Sequence, residues 1–264
     1  MKKTIACLLG LLIAIAALLY LSPSTLFTSL QWIEQQRAGL TTRQISVSDL
    51  SIHYYEGGPS TAQPVVMLHG FAANKDNWLR FARHLTTDYR VIALDLPGFG
   101  ASEKPTGSYD AGTQAERLAV ILEALNIERA HLIGNSMGGH ISALYAARYP
   151  ERTLSLALFN NAGIDSPEPS ELFHILQRGE ANPLVVRSRE DFERLLQFVF
   201  VEPPSLPDSL KDYFVEQAKA NSAHYDRVFN HLIERYIPLE PELDKIQPPT
   251  LLLWGKQDRV LHVS

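Results

Sequence analysis

A serine set between glycines, in Gly134-Asn135-Ser136-Met137-Gly138-Gly139, follows the apolar run Ala130–Ile133 and precedes a segment with helical periodicity. In this strand-turn-helix setting the G-x-S-x-G spacing is that of a nucleophile on a sharp, strained turn. The turn crowds the positions two before and two after the serine, so Gly134 and Gly138 must both lack a Cβ, with Asn135 between them. The Ser136 hydroxyl would then project above the sheet at the positive end of the following helix, and the chemistry would be acyl transfer through an acyl-serine. A second segment agrees. His69-Gly70-Phe71 follows the apolar run Pro64–Leu68, where such chemistry needs a turn that aims an N–H at a developing oxyanion. The expected donors are the backbone amides of Phe71 and Met137. His69 itself reads as a structural histidine at a strand end rather than the general base.

Two acids compete for the third role. Asp95, in Asp95-Leu-Pro-Gly-Phe-Gly100, reads as part of a turn with two flexible glycines. Asp258 lies just after the apolar run Thr250–Trp254, at the carboxyl edge where parallel strands gather ligands. In the chain order Ser…Asp…His it is the natural orienting acid.

These residues need a frame, and the rest of the chain supplies one. From Arg43 onward, short apolar runs alternate with helical patterns, as in a mostly parallel sheet flanked by helices. Ile45–Val47 and Leu50–Tyr55 read as an opening hairpin, followed by strands at Pro64–Leu68, Arg90–Leu94, Ala130–Ile133, Leu154–Phe159 and Thr250–Trp254. Thr113–Asn126 and Gly138–Tyr149 carry helical spacing. Between Gly163 and Pro248 that rhythm stops. Amphipathic pieces at Glu171–Arg178, Glu190–Phe200, Leu206–Ala220 and Tyr225–Tyr236, with proline-rich joints, predict a helical cap inserted in one α/β core. The expected division is 1–21, 22–42, core 43–163, cap 164–248 and core 249–264.

Composition narrows the function classes. The 264 residues are 45% hydrophobic and carry a net charge of −5 without a five-residue run of Lys and Arg, which argues against a nucleic-acid partner. Cys7 is the one cysteine, so neither an intramolecular disulfide nor a cysteine-based zinc site is available. No metal and no organic cofactor is implied. At the N-terminus, Lys2 and Lys3 precede the uncharged stretch Thr4–Leu21, which as a helix would span about 27 Å. Ala14-Ile15-Ala16 lies inside that stretch rather than at its exit, which favours a retained signal-anchor over a cleaved signal peptide. The lysines would stay cytoplasmic and the rest would lie on the other, periplasmic, side. After Ser22-Pro23, the stripe Leu26, Phe27, Leu30 and Ile33 fits either a helix lying on the bilayer surface or one packed on its own domain.

Together, His69-Gly70-Phe71 with Asn74-Lys75-Asp76-Asn77-Trp78, Asp95-x-Pro-Gly-x-Gly, Gly134–Gly139 and Trp254-Gly255-x-x-Asp258 resemble the α/β-hydrolase superfamily. Within it, Lys75-Asp76-x-Trp78, the Ser-Met-Gly-Gly elbow and the N-terminal segment are similar to membrane-anchored monoacylglycerol lipases and related bacterial triacylglycerol lipases. The resemblance covers Val47 to the end. It implies an ester hydrolase acting on lipid esters. The amphipathic cap helices would lay an apolar face over Ser136, for which Phe173, Leu176, Leu195, Phe198, Phe200 and Phe214 are candidates, although each of them reads more readily as cap core than as pocket lining. The resemblance also implies a histidine base after one more helix and strand. Only six residues follow Asp258 (264 − 258), so that last strand, helix and histidine are expected to be missing from this sequence, leaving it with little turnover. Two other readings stay open: a carbon–carbon bond hydrolase of ring-cleavage products, and a binding protein on an incomplete hydrolase fold.

Overall fold

Seven strands form one twisted sheet in the order β1-β2-β4-β3-β5-β6-β7. The computed structural model describes residues 22–264. The strands are β1 (Leu40–Val47), β2 (Leu50–Gly57), β3 (Pro64–Leu68), β4 (Arg90–Leu94), β5 (Ala130–Asn135), β6 (Thr153–Phe159) and β7 (Thr250–Leu253). β1, β2 and β4 pair antiparallel; every pair from β4 to β7 is parallel. In β3 and β4 all residues but the first are buried, as expected of strands covered on both faces. β7 has the same apolar sequence but lies at the sheet edge, with Leu251, Leu252 and Leu253 all more than half exposed. The opening hairpin begins at Leu40, earlier than the alternation at Ile45 suggests.

The helices are α1 (Pro23–Arg37), α2 (Leu79–Ala82), α3 (Ala111–Ala124), α4 (Met137–Arg148), α5 (Glu171–Gln177), α6 (Arg189–Val199) and α7 (Asp208–Glu234). α3 starts where Asp110 Oδ1 accepts the Thr113 amide at 2.8 Å, an N-cap worth about 1 kcal/mol. It buries Ala111, Ala115, Leu118, Ile121 and Leu122 against the sheet. α4 behind the elbow is buried from Met137 to Ala147, and this helix holds the strained turn in place.

α5, α6 and α7 make the cap, inserted between β6 and β7. Two predicted pieces, Leu206–Ala220 and Tyr225–Tyr236, prove to be one helix of 27 residues. The join, Ala220–His224, contains neither Gly nor Pro, and a polar Asn-Ser step alone does not stop a helix. Phe192 and Phe214 stack at 6.1 Å between α6 and α7.

α1 packs on its own domain. Phe27 meets Phe214 edge-to-face at 4.8 Å, and the Gln31 side-chain amide donates to Asp76. Burial raises the Asp76 carboxyl above its ordinary range, opposed by the Tyr55 hydroxyl at 2.6 Å and by Lys75. Leu30, Trp32 and Ile33 remain exposed on the helix. Among the described residues no helix is long and apolar enough to cross a membrane; the predicted anchor Thr4–Leu21 lies outside the described residues.

Candidate active site

Ser136 sits between β5 and α4 with φ 53° and ψ −118°, a backbone state that L-residues seldom adopt. The turn is held by the Ser136 amide donating to Phe159 O at 3.0 Å, and by Ser136 O accepting from His140 and Ala162. The sequence argument about the flanking glycines has a direct geometric counterpart. A Cβ on Gly134 would lie 2.3 Å from Gly138 O, and one on Gly138 would lie 2.2 Å from Leu68 O. Asn135 ties the turn to the next strand through Nδ2 and Phe159 O at 3.2 Å.

Phe71 lies on the loop after β3, with its ring against Phe99, Tyr225 and Phe229. Gly70 brings that loop close to the nucleophile, its ideal Cβ position being 3.3 Å from Ser136 Cβ. Among the described residues neither the Phe71 amide nor the Met137 amide has an acceptor. Two N–H groups are therefore unengaged, one on the residue that follows Ser136 and one on a loop that lines the same cavity, and free donors are what an oxyanion site requires. The loop is fixed from below by His69, fully buried. Its Nδ1–H donates to Gly70 O at 2.8 Å and its Nε2 accepts the Leu96 amide at 3.1 Å. Burial pushes the His69 ring well below the ordinary histidine value, so it is a neutral strut.

The two acids separate. Asp95 is completely buried and binds Lys75 Nζ at 2.7 Å, the Lys75 amide at 2.8 Å and the Ala101 amide at 2.9 Å. All three of these bonds are made inside the fold. Asp258 opens on the same cavity as Ser136. Its Oδ1 accepts the Val260 and Leu261 amides at 2.8 and 3.0 Å, and its Oδ2 accepts from Asn160 Nδ2.

That cavity, about 880 Å³, brings together Ser136, Phe71, Asn135 and Asp258 from the core with Leu195, Phe198 and Phe200 from the cap. Of the six candidate roof residues these last three line it. Phe214 instead packs on Phe27 and Phe192, while Phe173 is exposed and neither it nor Leu176 is part of the cavity lining. None of the nine histidines, all among the described residues, lines the cavity. His140, one turn behind the nucleophile, is buried with Nε2 2.8 Å from Ile237 O, and desolvation lowers it to about 4. No cluster of metal-ligating side chains occurs among the described residues.

Two residues at the site escape a reading of the sequence alone. Asn160 follows β6 directly, in the left-handed region at φ 45°, and holds Asp258; the only hint is a polar Asn160-Asn161 step after an apolar strand. Arg259 follows Asp258 and reaches two cap helices, which no local pattern announces.

Residues 63–263 match the family described as alpha/beta hydrolase fold. A crystal structure of a membrane phospholipase A, described as a novel bacterial virulence factor, superposes with a TM-score of 0.89. It is 56% identical, over 100% of this chain and 85% of that one. Lipase 3 of Moraxella sp. (strain TA144) is 35% identical over 235 residues, 86% of this chain and 73% of its own. Monoacylglycerol lipase ABHD6 of Mus musculus is 30% identical over 266 residues, 96% of this chain and 79% of its own.

Proposed function

We infer that this chain, which belongs to the alpha/beta hydrolase fold family, is a serine carboxylic-ester hydrolase acting on lipid esters. The observation that carries this reading is the shared cavity of Ser136 and Asp258 under an apolar cap. In it Ser136 Oγ attacks the ester carbonyl, and the oxygen that gains charge is met by the Phe71 and Met137 amides. The alcohol leaves, and water then frees the acid from acyl-Ser136. Asp258 is placed to orient a histidine base, which would take the Ser136 proton and hand it to the departing alcohol; none of the histidines in the 264 residues lines the cavity to do so.

Glycerolipids are the substrate class this reading favours. The relatives named above are a lipase, a monoacylglycerol lipase and a membrane phospholipase A, and Leu195, Phe198 and Phe200 offer an acyl chain an apolar wall. Each buried methylene of that chain is worth about 0.8 kcal/mol. Retention of Thr4–Leu21 as an anchor, with the hydrolase on the periplasmic side, would hold the cavity beside its substrate.

The test is kcat/KM on monoacylglycerols and lysophospholipids with acyl chains from C2 to C18, with Ser136→Ala as control. Activity should climb with chain length until the cavity is filled; a steady fall from C2 upward would leave small soluble esters or acids as the substrate. Because no histidine of the chain lines the cavity, turnover by the 264 residues alone is expected to be about 10⁴–10⁶ below that of a form with a base in place. The series is therefore run on both this chain and the product of its native gene. Robust Ser136-dependent turnover by the 264-residue chain would contradict that expectation.

A further inference from the structure

Arg259, on the wall of the cavity, connects the loop of Asp258 to the cap. Its Nε and Nη2 form a fork on the Glu171 carboxylate at 2.6 and 2.7 Å, the bidentate geometry that a guanidinium offers and an ammonium cannot. Its Nη1 donates to Gln197 O at 2.8 Å, and its guanidinium carbon lies 4.8 Å from the centre of the Phe198 ring. Its carbonyl oxygen accepts the Leu172 amide at 3.1 Å.

These contacts join three otherwise separate pieces. Glu171 and Leu172 open α5, Gln197 and Phe198 close α6, and Arg259 is covalently next to Asp258. Both ends suit their charges, a carboxylate in the first turn of α5 and a cation at the last turn of α6. Phe198 and Arg259 are themselves part of the cavity wall, so moving this arginine moves the wall. The Arg259 and Glu171 side chains are each 45% exposed, which lets solvent and salt screen the pair. A screened fork can open and close.

We propose that Arg259 is a positioning residue, clasping α5 and α6 to the acid-bearing loop so that the cavity mouth admits single-chain lipid esters in preference to two-chain ones. This rests on the ester-hydrolase reading for its substrate class, while the clasp itself is a property of the cap. The Glu171 fork fixes the guanidinium, whose Nη1 and face in turn hold Gln197 and Phe198 at the α6 end over the cavity. With the fork broken the guanidinium is free to turn, the α6 end can swing outward and the mouth widens.

The experiment compares Arg259→Gln, Glu171→Gln and the double variant, each made in the protein expressed from its native gene. The readout is the ratio of kcat/KM on a diacyl phosphatidylcholine to kcat/KM on its lysophospholipid, in the same mixed micelles. Each single change should raise that ratio about two- to fivefold, the range open to a half-exposed pair. The double variant should rise no further than Arg259→Gln alone, because the fork to Glu171 is lost only once. Raising salt to about 1 M should shift the unaltered protein the same way and the variants little. An unchanged ratio, or additive single effects, would overturn the clasp. Hydrogen exchange at Leu172 and along α6 gives a readout without turnover: both should exchange faster in every variant. Absence of ester hydrolysis by the unaltered protein would sink the substrate class, and exchange rates alone would then decide the clasp, unchanged rates refuting it.

Discussion

Asn160 and Asp258 stand at the ends of adjacent strands, and the asparagine grips the acid. Its Nδ2 donates to Asp258 Oδ2, its Oδ1 accepts the Gly255 amide at 3.3 Å, and its own amide donates to Leu253 O at 2.9 Å. One residue thus staples β6 to β7 and aims the carboxylate, and the left-handed backbone at φ 45° is what turns its side chain that way.

Replacing Asn160 by Ala removes that grip. A hydrogen bond to a charged group is worth about 1.5–3 kcal/mol, so kcat should fall about 10- to 100-fold with KM little changed. Steady-state kinetics on a medium-chain ester, with circular dichroism to verify folding, would check this; a pure KM effect would place Asp258 outside the chemistry.

Ser136 holds a strained backbone, and strain of this kind costs about 1–3 kcal/mol. Ser136→Gly should therefore abolish turnover and raise the melting temperature by about 2–4 °C per kcal/mol recovered. Differential scanning calorimetry distinguishes this from Ser136→Ala, which loses the hydroxyl and keeps the strain. Equal melting temperatures for the two variants would mean that the turn is relaxed.

Gly138→Ala brings a Cβ to 2.2 Å from the Leu68 carbonyl oxygen, and backbone cannot step aside as a flexible side chain could. We expect a loss of about 3 kcal/mol or more in urea unfolding, or failure to recover soluble protein. Ordinary stability for this variant would show that β3 and α4 can separate locally.

Much of this was legible from residue order. The β3, β4 and β5 runs, the elbow glycines and Asp258 each follow from a local pattern, because a buried parallel strand and a tight turn write their requirements into consecutive residues. The length of α7 was not, since no breaker separates its halves and helix continuity there depends on packing against Phe27, Phe192 and Phe99 partners far away in sequence. Asn160 and Arg259 were not legible either. Each acts through partners about 90 positions distant, Asp258 and Glu171 respectively, and such pairings exist only once the chain has folded.

Acid should weaken the fold through His140. Its folded value near 4 lies below the ordinary 6.5, chiefly through burial. Above about pH 6.5 the ring is neutral folded or unfolded, and nothing changes. Between pH 6.5 and 4 the unfolded chain takes up a proton that the folded one refuses, so stability drops across that window, to a limit of about 3 kcal/mol. The melting temperature should fall between pH 7 and 4.5, and His140→Gln, which keeps a donor for Ile237 O, should flatten that fall. Parallel curves for the two proteins would move the acid sensitivity elsewhere.

The cap lies between β6 and β7, and this has a consequence in time. The ribosome delivers Ser136 and the loop of Phe71 first; Asp258 comes 122 residues later (258 − 136), on the order of ten seconds at about 5–20 residues per second. Throughout that interval the elbow can fold, since β3, β5 and α4 are already made, but the strand that carries the acid and the arginine that fastens the cap do not yet exist. A chain of this layout acquires Asp258 and Arg259 only after the whole cap has been synthesised, so the cavity cannot be completed before its roof exists.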